Sequence, residues 1–219
     1  MPAIQRRNVM PKREIKIERV YEHIKMLIKN GAYLPGEHVD IDALKDQLGV
    51  SIQPVRTALY MLAREGFIEA FPNEGFRSAR ITEPDLEDLY TVHVYHVDLS
   101  IKLIASSGLV IAQAPALLPT TGGAADIDLV AATEHLFSSI ALASGNTSLK
   151  HYVANEIDRL HAVRKLKGQL LPDWSSEYDE MASAWLRADY QDFRRLLNEY
   201  RQVRKNIASR LVRLLHQRT

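Results

Sequence analysis

The stretch that decides the fold is DIDALKDQLGVSIQPVRTALYML, residues 40–62. Asp40 stands where it can cap a short helix whose apolar positions, Ile41, Leu44 and Leu48, share one face. Gly49 stops that helix, and Ser51 is placed as the N-cap of the next. Pro54 falls in its first turn, where a missing N–H costs little. Val55, Leu59 and Leu62 form the inward stripe of this second helix, with Ala58 beside them. Only Gly49-Val50-Ser51 joins the two, the short connection of a helix-turn-helix.

Upstream, Val20, Ile24, Leu27 and Ile28 fall at i, i+4, i+7 and i+8, an amphipathic helix. Gly31 and the Leu34-Pro35-Gly36 turn end it. Downstream of Gly66 the period drops to two. Residues 67–71 read as a strand, Pro72-Asn73-Glu74-Gly75 as a tight turn, and residues 76–81 as a returning strand. The hairpin is a wing. Thr82-Glu83-Pro84-Asp85 then resembles a capping box and marks a boundary. No strand pattern follows. Helices are predicted over 83–106, 109–117, 127–144, 147–167, 174–188 and 190–217. The fold class is therefore mainly α. A flexible basic arm is expected over 1–15, a winged helix-turn-helix over 16–81, and an all-α helical bundle over 82–219.

At ~150 residues per domain, 219 residues make one large domain or two small ones. The 46% hydrophobic and 25% charged content is that of a globular chain and excludes a disordered or collagenous one. The lack of cysteine excludes disulfides, thiolate metal sites and thiol nucleophiles, and suits a cytoplasmic location. The net charge of +1 conceals a segregation: +3 over residues 1–80, −7 over 81–160 and +5 over 161–219. Arg6, Arg7, Lys12, Arg13, Lys16 and Arg19 crowd the first twenty residues, and such an arm can bind phosphates by releasing counterions. No secretory signal is read, and the apolar run at 109–119 is far short of the ~20 residues of a membrane span.

In a helix-turn-helix the N-terminal residues of the second helix meet base edges. With Val55, Leu59 and Leu62 turned inward, Gln53, Arg56, Thr57, Tyr60 and Arg64 face out. Arg56 suits a guanine and Gln53 an adenine, each bidentately. Ser51, Thr57 and Tyr60 suit phosphates, which position the protein without reading sequence. Gly75 at the wing tip lets backbone approach the nucleic acid. Arg13 of the arm and Arg77 of the wing complete the expected contacts to a double-stranded operator.

Leu34-Pro35-Gly36-Glu37, Leu44, Leu48-Gly49-Val50-Ser51, Pro54-Val55-Arg56, Ala58-Leu59, Leu62, Glu65-Gly66-Phe67-Ile68, Asn73 and Gly75 together resemble the winged-helix signature of the GntR family of bacterial transcription regulators. The likeness covers about 50 residues with order and spacing intact. It implies a homodimer on a pseudo-palindromic operator, with Arg56 as the central base-reading arginine, Gln53 and Pro54 near bases or phosphates, and Gly75 as the wing glycine. Ile52 and Thr57 depart from the arginine and glutamate usual there, which argues against a standard operator.

The helical half resembles the FCD domain of the FadR-like branch, through Phe137, Ala143-Ser144-Gly145-Asn146, Glu177-Tyr178, Ala184, Ala188-Asp189 and Tyr200. That resemblance implies dimerisation and an effector pocket, in most members built on one aspartate and three histidines that hold a divalent metal. Here those positions carry Thr133, Phe137, Tyr178 and Tyr200. Phenylalanine cannot ligate and tyrosine rarely does, so no metal and no cofactor are expected. Phe137, Asn146, Arg164, Tyr178 and Tyr200 are the candidate contacts for a small organic, rather apolar effector. The alternative is a DNA-binding dimer whose pocket is filled by its own side chains.

His93 and His96 share a helix face and read as surface or interface residues. Arg164 and Lys167 could meet an acidic effector, but a solvated face suits them too. The final helix shows an apolar stripe at Phe193, Leu197, Tyr200, Val203, Ile207, Leu211 and Leu214. Its basic residues, Arg194, Arg204 and Lys205 among them, lie mostly off that stripe, free to meet the acidic middle segment. No nucleophile elbow, phosphate-cradling loop or carboxylate dyad points to an enzyme.

Overall fold

A computed structural model of the chain describes residues 12–107 and 128–217. The helix expected over 109–117 and the arm up to residue 11 lie outside these. The chain divides into two compact units, residues 1–80 and 81–219.

The first unit runs α1 (Lys12–Lys29), α2 (Ile41–Leu48), α3 (Ile52–Arg64), β1 (Ile68–Phe71) and β2 (Gly75–Ser78). Helix α1 begins earlier than its apolar stripe suggests, so residues 12–15 are helical and not part of a flexible arm. Its first turns, Lys-Arg-Glu-Ile-Lys, are good helix formers with no breaker among them. Helix α2 is capped as expected: an Asp40 carboxylate oxygen accepts from the N–H groups of Asp42 and Ala43 at 2.9 and 3.0 Å. Gly49 closes it at φ +60°, a left-handed conformation that glycine adopts without strain.

The hairpin pairs Phe71 with Gly75 and Ile68 with Ser78. It ends before the expected Ile81, because the Arg80 N–H turns to the Glu69 carboxylate at 2.9 Å and leaves the ladder. His38 bridges to Arg77, so the segment before α2 runs along the outer edge of the wing. Val20, Ile24, Leu44, Val55, Leu59, Leu62 and Phe76 lie in one core, which binds three helices to the hairpin.

The second unit is all helix among its described residues: α4 (Glu83–Ser107), α5 (Leu129–Ala143), α6 (Thr147–Lys167), α7 (Trp174–Leu186) and α8 (Tyr190–His216). Side-chain caps from Asp128, Asn146 and Asp189 start α5, α6 and α8. The basic face of α8 meets the acidic α4: Arg194 Nε lies 2.5 Å from Asp98 Oδ1, and Lys205 Nζ lies 3.4 Å from Glu87 Oε2. No helix among the described residues is long and apolar enough to cross a membrane.

Candidate functional site

In the first unit the buried face of α3 takes Val55, Ala58, Leu59 and Leu62, and this turns Gln53 and Arg56 to solvent. Neither side chain is tied by a hydrogen bond or ion pair among the described residues. Ser51 occupies the N-cap in an extended conformation, yet its hydroxyl makes no cap bond. Thr57 instead donates to the Gln53 carbonyl at 3.0 Å, which leaves its oxygen lone pairs as acceptors only. Pro54 is half-buried in the first turn.

Tyr60, an expected phosphate contact, also packs on the wing. Its ring packs edge-on against Phe76 of the wing, centroids 4.9 Å apart, while it remains 57% exposed. It thus spaces the wing from α3. A groove of about 510 Å³ opens between them, lined by Arg56, Tyr60, Phe71, Asn73 and Gly75. The turn at its mouth needs positive φ at Asn73 (65°) and Gly75 (90°). A Cβ at Gly75 would come within 3.3 Å of His38 Nε2. Arg77 is half-buried, its Nη1 donating to the Gly36 carbonyl at 3.4 Å. Arg13 lies in the first turn of α1.

The interior of the second unit departs further from expectation. Phe137, Tyr178 and Tyr200 are buried, but so are Arg164, Lys167 and Arg204, each 0% exposed. Arg164 and Lys167 are therefore no solvated face, and Arg204 lies on the buried stripe of α8. The reason is aromatic and carboxylate cover. Arg204 is 3.5 Å from the Tyr200 ring centroid and grips the Glu177 carboxylate with both terminal nitrogens. Arg164 lies 5.9 Å from the Phe137 ring and 3.5 Å from Glu134. Lys167 Nζ sits 4.2 Å over Trp174 and 5.5 Å from Tyr200. Phe137 and Tyr200 meet at 5.5 Å, so Phe137, Arg164 and Tyr200 are brought together. Tyr178 is buried next to Glu177 on α7. Asn146 does not join them: it is exposed, and its side chain accepts from the Leu149 N–H at 3.0 Å as the cap of α6.

His93 is likewise no surface residue. It is buried, with Nδ1 3.2 Å from Glu156 Oε2 and Nε2 3.3 Å from Arg164 Nη2. Half-buried His96 takes the other Glu156 oxygen at 2.6 Å. Burial pulls the His93 pKa below its ordinary value although Glu156 opposes this. The network of His93, His96, Glu156 and Arg164, and the pairing of Lys167 and Arg204 with Glu177, left no mark in the apolar periodicity from which the helices were read.

The four positions where the FCD resemblance puts metal ligands do not fit a metal. The Thr133 hydroxyl donates to the Leu129 carbonyl at 2.7 Å. Phe137 has no donor atom. Burial raises the Tyr178 pKa and so disfavours a phenolate. The Arg204 guanidinium, 3.5 Å from the Tyr200 ring centroid, would also repel a divalent ion there.

A three-helix unit with a wing, an exposed α3 face and a wing-side groove is a winged helix-turn-helix domain, a DNA-reading class. Residues 16–77 match the model of the family described as bacterial regulatory proteins, gntR family, and the first unit thus carries a GntR-type DNA-binding domain. The HTH-type transcriptional regulator YdhC of Bacillus subtilis (strain 168) is 30% identical over 84 residues, and the chain spans 38% of that relative's length with 38% of its own. Among solved structures, E. coli McbR/YncC superposes with a TM-score of 0.68 at 18% identity, covering 89% of this chain and 97% of that one. A GntR transcriptional regulator from Rhodococcus sp. RHA1 gives 0.69 at 15% identity with the same coverage. At these identities the likeness is one of fold, and it extends over both units.

Proposed function

We propose that the chain is a bacterial DNA-binding transcription regulator of the GntR family. It acts as a homodimer in the cytoplasm, on a pseudo-palindromic operator, and a small-molecule effector modulates it through a metal-free site in the helical unit. The observation that carries the reading is the untied, exposed pair Gln53 and Arg56 at the start of α3, within a domain that matches the family. Ser51, Tyr60 and the backbone N–H of Gly75 lie on the same face and its groove and would hold phosphates, while Pro54 and Thr57 pack the start of α3 against the nucleic acid. Arg13 and Arg77 extend the contact along the backbone. Residues 82–219 dimerise and bind the effector. The packing of Phe137 on Tyr200 supports one rival, a dimer whose interior is filled and which answers to no effector.

Selection of bound DNA from a random pool, followed by gel shifts, tests the reading. An enriched sequence with two-fold symmetry is expected, bound by the wild type at low ionic strength and released as salt rises. A pool without enrichment, or enrichment of a single asymmetric half-site, would overturn the dimeric operator reader.

A further inference from the structure

We propose that Ile52, the first residue of α3, is a specificity determinant: its side chain packs on the C5-methyl group of a thymine in the operator and sets the preference at that base pair. The inference rests on the operator reading above and adds an apolar contact to its polar ones.

Placement is the first argument. Ile52 opens α3, directly after the cap position held by Ser51. Positions 52 and 56 are one turn apart on the same helix face, and Gln53 stands three residues before Arg56. Ile52 therefore belongs to the same exposed patch as these two side chains, at the end of the helix that meets base edges. Side chains at i and i+4 are about 5–6 Å apart on a helix. Successive bases on a strand are about 3.4 Å apart. The thymine should thus lie within about two steps of the guanine that Arg56 suits.

Folding gives the isoleucine no other task. Both helices of the helix-turn-helix begin with isoleucine. Ile41 of α2 is half-buried against the core of its unit, whereas Ile52 is 39% exposed and stands outside that core. The inward side of α3 is filled by Val55, Ala58, Leu59 and Leu62. Isoleucine also adds little to an exposed helix start, because a β-branched side chain loses rotamer freedom there. One exposed apolar residue is ordinary on a protein surface. This one is set among the groups that face base edges, where its chemistry has a definite consequence.

That chemistry supplies the third argument. The major groove shows donors and acceptors at every base pair but one apolar group, the methyl of thymine. Isoleucine has neither donor nor acceptor. Over the amino group of cytosine, or over O6 and N7 of guanine, it would displace water without replacing the hydrogen bond. Over thymine it buries methyl against methyl. Discrimination thus has an attractive and a repulsive part. The stiff χ1 of a β-branched residue presents its methyl groups in few directions, so little freedom is lost on contact.

The test uses the full chain and the duplex enriched from the random pool. Each thymine is replaced in turn by deoxyuridine, which removes the methyl group and leaves the pairing edge intact. Gel-shift titration should find one thymine in each half-site whose replacement weakens binding about fourfold, as loss of one buried methyl does, and about fifteenfold when both half-sites are changed. Ile52→Ala should bind the thymine duplex more weakly and should no longer distinguish it from the deoxyuridine duplex. Ile52→Val should keep the distinction. Urea unfolding of Ile52→Ala should match wild type, because the side chain lies outside the core. A fresh selection with Ile52→Arg should replace thymine at that position by guanine. Tolerance of deoxyuridine at every position, or an equal loss in wild type and Ile52→Ala, would overturn the contact. An enriched symmetric duplex that binds equally well with deoxyuridine throughout would leave the operator reader standing and end the role of Ile52. An Ile52-dependent loss on a single asymmetric half-site would leave the contact standing and end the dimeric reading. A pool without enrichment would end both.

Discussion

Arg56 is exposed one turn into α3, with its backbone fixed by buried Val55 and Leu59 on either side of it. Its outward direction was legible in the sequence, because the i, i+4, i+7 stripe at 55, 59 and 62 leaves position 56 no other side to face. Arg56→Ala should therefore cost ~1–3 kcal/mol on the selected operator and relax preference at one base position, with urea unfolding unchanged. A gel shift showing wild-type affinity would remove Arg56 from the base-reading role. Lys167 shows the opposite case. Nothing local distinguishes it from the exposed Lys165 two residues earlier, and only the folded unit reveals the burial. That burial has a signed consequence. Its pKa in the folded chain is lowered, so between that value and the ordinary 10.5 the unfolded chain holds more protons. Stability from this group then rises with pH across that window, and below it the full cost of a buried charge is felt. Lys167→Met should be more stable than wild type at about pH 6, and the gap should narrow by about pH 10. A gap independent of pH would show that the amine is not buried as a charge.

At the scale of the element, α2 and α3 start with different kinds of cap. Both Asp40 and Ser51 read as N-caps, and both occupy that position. Only Asp40 uses its side chain, accepting from two backbone N–H groups, whereas the Ser51 hydroxyl makes no cap bond. Asp40→Ala should lower unfolding free energy by ~1 kcal/mol. Ser51→Ala should change it by no more than about 0.5 kcal/mol while weakening operator binding. A comparable stability loss in both variants, measured by urea titration, would contradict this division. The helices of the second unit show how far periodicity carries. It placed α4, α6 and α8 close to their observed bounds because their apolar residues recur at helical spacing. It misplaced Arg204 because an apolar stripe was drawn through Tyr200, Val203 and Ile207, although position 204 stands one turn beyond Tyr200 on the buried face. Glu156 and Arg164 on α6 follow the same logic. Apolar periodicity finds a helix's buried face, but charged residues on that face become visible only when their partners on other helices are known, here Glu177, His93 and Glu134.

For the whole molecule, the net charge of +1 is the sum of regions with different partners. The basic tail of the sequence largely answers internal demands: Arg194 on Asp98, Lys205 on Glu87, Arg204 on Glu177. Its positive sum therefore says little about nucleic acid. In the N-terminal excess, Arg6 and Arg7 precede the helix that begins at Lys12. Cations on phosphate release about 0.9 counterion each from duplex DNA, so their contribution is readable as a salt slope. A chain lacking residues 1–11 keeps α1 and all the described core of the reading unit, and it loses two arginines per protomer. If a dimer places all four on phosphate, the slope of log affinity against log salt should fall by about 3.6, with a smaller fall for fewer contacts. The loss should be alike on selected and random DNA, because phosphates carry no sequence. Parallel salt plots for the full and shortened chains would show that the arm takes no part in binding. A loss confined to the selected operator would make the arm a reader of bases or groove shape, and the assignment of specificity to α3 alone would then fail.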